Sequence, residues 1–167
     1  MKKVIYFPIV KQENDYSCGV ACTSSILKYF NLENYDFKLL ENTLCCNENG
    51  TDDKNIISLL KDRDLLITEL NNLTIDNLIQ LFKNFSLPII IDIQAYKENE
   101  NSYKDQTEFG HYVIFCGYDN EKLIFMDSWL GEYVYLTEEE LDDRWHDDNE
   151  KGWAIMINKE IIYKKLE

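Results

Sequence analysis

Proline and glycine are scarce, two and six in 167 residues, and the chain has no low-complexity tract, no flexible linker and no internal repeat. One domain over residues 1–167 is expected, large enough to bury roughly two-thirds of the surface of its unfolded chain. Cysteine pairs at metal spacing are also missing. The five cysteines are an odd number without a C-x-x-C, which excludes a zinc ribbon and a disulfide framework and favours reduced thiols. Around His146, DDRWHDDNEKG lacks the EF-hand spacing, so neither a metal nor a cofactor is expected.

Positive charge is short as well. Lysine and arginine number 17 against 31 aspartates and glutamates, a net charge of −14, which repels phosphate backbones and anionic lipid surfaces. Nucleic acid is therefore not an expected partner. Long apolar runs are absent: the longest, Leu87 to Ile91, is far below the ~20 residues that cross a bilayer. The N-terminal MKKVIYFPIVK is broken by Pro8 and closed by Lys11, too short for the apolar region of a signal peptide. A soluble, cytoplasmic protein without membrane insertion is expected.

What is present divides into two characters. From Ser17, a candidate N-cap, apolar residues recur near helical spacing to about Asn31. Residues 36 to 45 read as a short second helix, and Thr51 or Asp52 caps a third through IISLLKD. Leu65 to Leu70 reads as a strand, Thr74 opens another helix through IDNLIQLFKNF, and Pro88 begins the β-branched run IIIDI. Then HYVIFCGY, KLIFMD and EYVYL form an antiparallel meander. Thr137-Glu-Glu-Glu140 matches a capping box for a helix to about Trp145, and WAIMI supplies a last strand. Helices first and antiparallel strands second make an α+β fold.

The chemistry-bearing residues are few. Cys18 falls at the first turn of the first helix, where unpaired backbone N–H groups and the helix dipole stabilise a thiolate, and Gly19 removes side-chain bulk beside it. His111 is one of two histidines and starts a strand after a polar loop, and Asp127 ends the next strand. A thiolate, an imidazole and an orienting carboxylate are the parts of a cysteine nucleophile site. Gln12, six residues before Cys18, is placed to share an oxyanion with the Cys18 backbone N–H.

Register decides whether His111 and Asp127 meet. An even loop centred on Asn120 and Glu121 sets Asp127 opposite Ile114, on the wrong face. An odd loop or a bulge sets it opposite Val113, from which it reaches His111 diagonally across about 7–8 Å of backbone. Cys22, Cys45, Cys46 and Cys116 read as structural, Trp145 and Trp153 as core or cleft wall, and Trp129 as a shield for the His–Asp pair.

Three segments, QENDYSCGVA, GHYVIFCGYD and LIFMDSW, together with EYVYLTEEELDDRW, resemble papain-like cysteine peptidases of the bacteriocin-processing, double-glycine leader-peptidase type, over most of the chain and in the same order. The resemblance implies a papain-like fold, with a helical half carrying the nucleophile helix against an antiparallel sheet. It implies Cys18 as nucleophile, His111 as general base and then acid, Asp127 as its orienter, Gln12 as oxyanion donor, and a peptide or peptide-like substrate. Asp15 fits an acidic position before the cysteine. In the bacteriocin processors a membrane transporter usually follows this domain, and none follows Glu167 here, so a stand-alone relative is expected. Acyl transfer to an amine or thiol on the same fold, and a non-catalytic peptide-binding module, are the alternative functions. The polar loop from Tyr96 to Phe109 is the candidate for substrate selection.

Overall fold

The run IIIDI after Pro88 is apolar at nearly every position because the sheet it joins is covered on both faces. The computed structural model describes residues 2–32, 36–95, 102–120, 122–147 and 150–159. In chain order it contains β1 (Lys2–Val4), α1 (Cys18–Tyr29), α2 (Phe37–Thr43), α3 (Asp53–Lys61), β2 (Leu65–Leu70), α4 (Ile75–Phe85) and β3 (Ile89–Gln94). There follow β4 (Gly110–Asp119), β5 (Lys122–Asp127), β6 (Glu132–Leu136), α5 (Glu138–Arg144) and β7 (Ala154–Lys159). The strands form one antiparallel sheet in the order β2-β7-β3-β4-β5-β6, with β1 pairing the far end of β4.

Alternate residues of each central strand serve different layers. Ile90 and Ile114 pack with Val20, Cys22 and Ile26 of α1, Leu40 of α2 and Ile56 of α3. Ile91, Val113 and Phe115 pack with Leu78 and Phe82 of α4, Leu141 of α5 and Trp145 just after it. The expected helical half against an antiparallel sheet is therefore present, although β2 and β3 join the sheet from within the helical half. Caps follow the sequence closely: Asp52 accepts from the Lys54 N–H, and Thr74 and Thr137 each complete a capping box. Of the loop from Tyr96 to Phe109, residues 96–101 lie outside the described residues.

The β4–β5 hairpin settles the register. Asp119 pairs with Lys122, so an even, two-residue connection joins the strands, and Gly117 pairs with Ile124. By itself this places Asp127 on the wrong face. Beyond Gly117, however, the pairing slips by one residue: Phe115 faces Phe125 and Ile114 faces Met126, leaving Cys116 as a β-bulge. The same register continued sets Asp127 opposite Val113, on the face of His111. The bulge is wedged by β1. Gly117 has φ +132°, and a Cβ there would lie 2.0 Å from the Lys3 carbonyl oxygen, while the Ile5 N–H donates to the Cys116 carbonyl at 2.7 Å.

Candidate active site

Asn14 organises the approach to Cys18. Its Nδ2 donates to Glu41 of α2 at 2.9 Å, its Oδ1 accepts from the Tyr16 N–H at 3.2 Å, and its carbonyl accepts from Gln12 Nε2 at 2.7 Å. Glu41 is itself buried and paired with Lys38. Asp15, the acidic position of the sequence reading, makes no hydrogen bond among the described residues; its neighbour Asn14 orients the loop. Ser17 occupies the N-cap position of α1 but places no side-chain bond on the first turn. Its hydroxyl turns back to the Asn14 carbonyl at 3.5 Å, so the first-turn N–H groups, Cys18's included, keep their free donors.

Gly19 serves packing. A Cβ at this position would meet Thr51 Cβ at 2.8 Å, so the missing side chain lets α1 seat against the start of α3.

Cys18, His111 and Gln12 line one cleft of about 470 Å³, walled by Gly50, Gly110 and Trp129. All three side chains are recessed, 6–8% exposed. Asp127 stands behind His111: its Oδ1 accepts from His111 Nε2 at 3.0 Å, and from the backbone N–H groups of Trp129 at 2.8 Å and Leu130 at 3.3 Å. With Nε2 so engaged, Nδ1 is the ring nitrogen left for Cys18. Burial by itself lowers the basicity of His111. The Asp127 carboxylate and the Cys18 sulfur override it and hold the imidazole up at about 9. Asp127 is in turn held low by His111 and the turn N–H groups, against the opposing effect of burial. The neutral-pH state of the pair is an imidazolium hydrogen-bonded to a carboxylate.

Gln12 is clamped at both ends. The Ser128 hydroxyl donates to its Oε1 at 2.8 Å, and its backbone N–H donates to the Ser128 carbonyl at 3.0 Å. With Oε1 accepting from Ser128, Nε2 is the end of the amide with a second hydrogen to offer the cleft. The dipeptide Asp127-Ser128 thus fixes two site residues at once, His111 through the first and Gln12 through the second. Cys22 donates its thiol to the Tyr112 carbonyl at 3.3 Å, and burial pushes that thiol well up, in line with a packing role.

The sequence reading missed two residues. Ser128 gives no local signal, because its partner is 116 positions away. Asp92 of β3 lies opposite Tyr112 of β4. Its Oδ1 accepts the His111 backbone N–H at 2.8 Å, and it too lines the cleft. A carboxylate among four isoleucines was the available signal.

The Peptidase C39 family matches residues 6–159. The chain is 27% identical over 165 residues to the SPbeta prophage-derived sublancin-168-processing and transport ATP-binding protein SunT of Bacillus subtilis (strain 168), covering 99% of the chain and 21% of that protein. It therefore spans about a fifth of the length of the curated relatives it matches. In fold it is similar to a C39-like peptidase from Bacillus anthracis, with TM-score 0.72, 18% identity, and 96% and 98% of the two chains covered. It is also similar to a double glycine motif protease from an AMS/PCAT transporter solved in complex with the leader peptide, with TM-score 0.70, 16% identity, and 96% and 99% covered. No helix among the described residues is long and apolar enough to cross a membrane.

Proposed function

Because the chain belongs to the peptidase C39 family, a family of cysteine-peptidase-type hydrolases, we propose that it acts as one peptidase domain over residues 1–167, cutting a peptide through Cys18, His111, Asp127 and Gln12. The observation that carries this reading is the cleft: an uncapped helix-start cysteine beside a histidine whose far nitrogen is held by a buried carboxylate. Cys18 attacks the scissile carbonyl as a thiolate, and the C–S bond forms as the carbonyl electron pair moves onto oxygen. The Cys18 backbone N–H and Gln12 Nε2 receive that oxyanion, each such donor contributing about 3 kcal/mol. His111, charged at neutral pH, gives its proton to the leaving amine as the C–N bond breaks, leaving a thioester. The neutral imidazole then takes a proton from water, and the hydroxide equivalent releases the acid and regenerates the thiolate.

By its relatives, the substrate is a leader peptide ending in two glycines. Incubation with such a peptide should give, by mass spectrometry, one cut after the glycine pair, lost when Cys18 is alkylated beforehand. An intact peptide, or cutting that survives alkylation of Cys18, would count against the proposal.

A further inference from the structure

Asp92 is a titratable group that the proposed chemistry does not use. It lines the cleft together with Cys18 and His111, and it also lines an adjoining cavity of about 480 Å³; Tyr112 and Asp147 are likewise common to both. Around that cavity stand Asp53, Glu69 and Asp147, with Lys54 the one lysine among its walls. Two observations beyond the charge point to a ligand. Asp92 spends Oδ1 on the His111 N–H, whereas its Oδ2 has no partner among the described residues. Tyr112 and Trp153 meet there with ring centroids 5.8 Å apart, and aromatic faces beside carboxylates suit an organic cation.

The carboxylates are too dispersed for a metal. Among the described residues no three acidic, histidine or cysteine side chains converge enough to hold an ion. An elongated cation that reaches from the cleft past Tyr112 fits better. Accordingly, and resting on the peptidase reading above, we propose that Asp92 makes this cleft select a peptide carrying a lysine or arginine side chain within a few residues of the scissile amide. Burial, and then the neighbouring Asp147 carboxylate, lift Asp92 to about 7. Its charged form has the His111 backbone N–H and the charge of that imidazole on one side, and a bound guanidinium or ammonium supplies a hydrogen-bonded counter-ion on the other. The acidity of the whole chain favours the approach of the same kind of peptide.

The test is a set of matched peptides that keep the glycine pair and in which the third position before the scissile amide and each of the three after it carry arginine, norleucine or glutamate in turn. The arginine-to-norleucine ratio of kcat/KM is read within one enzyme, so any general loss of activity cancels. At one position the parent protein should favour arginine by about tenfold, the scale of one charge-assisted contact. Asp92→Asn keeps an acceptor for the His111 N–H and should bring that ratio near one. Should that variant fail to fold by thermal melting, Asp53→Asn should still lower the ratio by about threefold. Norleucine peptides cut as fast as arginine peptides, or a ratio that neither variant changes, would overturn the inference and leave the peptidase reading standing. No cutting of any peptide, with Cys18 inert to iodoacetamide, would overturn both.

Discussion

Replacing Cys18 with alanine should abolish peptide cutting, with a fall of at least ~10⁴-fold in kcat, while the fold remains intact. The magnitude follows from the division of labour in nucleophilic sites, where loss of the nucleophile leaves only the binding and oxyanion contributions. The fold should survive for structural reasons. Cys18 is the first residue of α1, 7% exposed toward the cleft, while the core contacts of that helix come from Val20, Cys22, Ile26 and Leu27. Alanine removes one sulfur from the cleft wall and leaves the first-turn N–H groups in place. A urea melt should therefore shift by no more than about 1 kcal/mol, since the substitution does not empty the core and the His111 nitrogen that loses its sulfur partner lines the cleft. A variant that cuts at more than a hundredth of the parent rate would transfer the nucleophile's role to another residue.

Asp127→Asn should have the second largest effect, about 10²- to 10³-fold in kcat/KM. Asparagine keeps an oxygen for the Trp129 and Leu130 N–H groups, so the turn after β5 should hold. What it removes is the negative charge behind His111. The loss should be smaller than the ~10⁴-fold seen when a serine triad loses its aspartate, because a cysteine is the more nucleophilic and the more easily ionised group. The pH profile should change in a specific way. In the parent, activity falls on the alkaline side as the imidazolium loses its proton near pH 9. Without Asp127, burial pulls His111 down against the weaker opposition of Cys18 and Asp92, and the alkaline limb should move to lower pH by about one unit or more. An unmoved limb would mean that Asp127 does not set the charge of His111.

The same pair makes stability depend on pH. His111 is raised in the folded protein above its ordinary value of 6.5. Its contribution is therefore complete below about pH 6.5 and is lost as pH rises through about 9. Asp127 is depressed, so its contribution is present above the ordinary carboxylate range and is lost as pH falls below it. Together they favour a stability maximum on the mildly acidic side of neutrality.

Local signals in the sequence were strong enough to place most elements. Thr74 and Asn77 reach each other across three residues to cap α4, and Leu65–Leu70 needs only its β-branched and apolar pattern to read as a strand. β1 was missed because Lys2–Val4 is three residues long and is made a strand only by pairing with Gly117 to Asp119. The bulge at Cys116 was legible as a requirement but not as a location. The chemistry demanded that His111 and Asp127 share a face, while the wedge that satisfies it comes from Lys3 packing on Gly117. Within the site, Gln12, Cys18 and His111 line one cleft with Asp127 behind the histidine. Ser128 and Asp92 escaped notice because their contacts cross the fold and carry no spacing signature.

The central claim is that Cys18 is an activated thiolate, and the rate at which iodoacetamide alkylates each cysteine at pH 7 tests it most directly. Cys45 is exposed and serves as the internal reference, while Cys22 and Cys116 are buried. Cys18, although recessed in its cleft, should label at least ~10-fold faster than Cys45, because alkylation proceeds through the thiolate. If Cys18 labels no faster than Cys45, the thiolate–imidazolium account of the site is wrong.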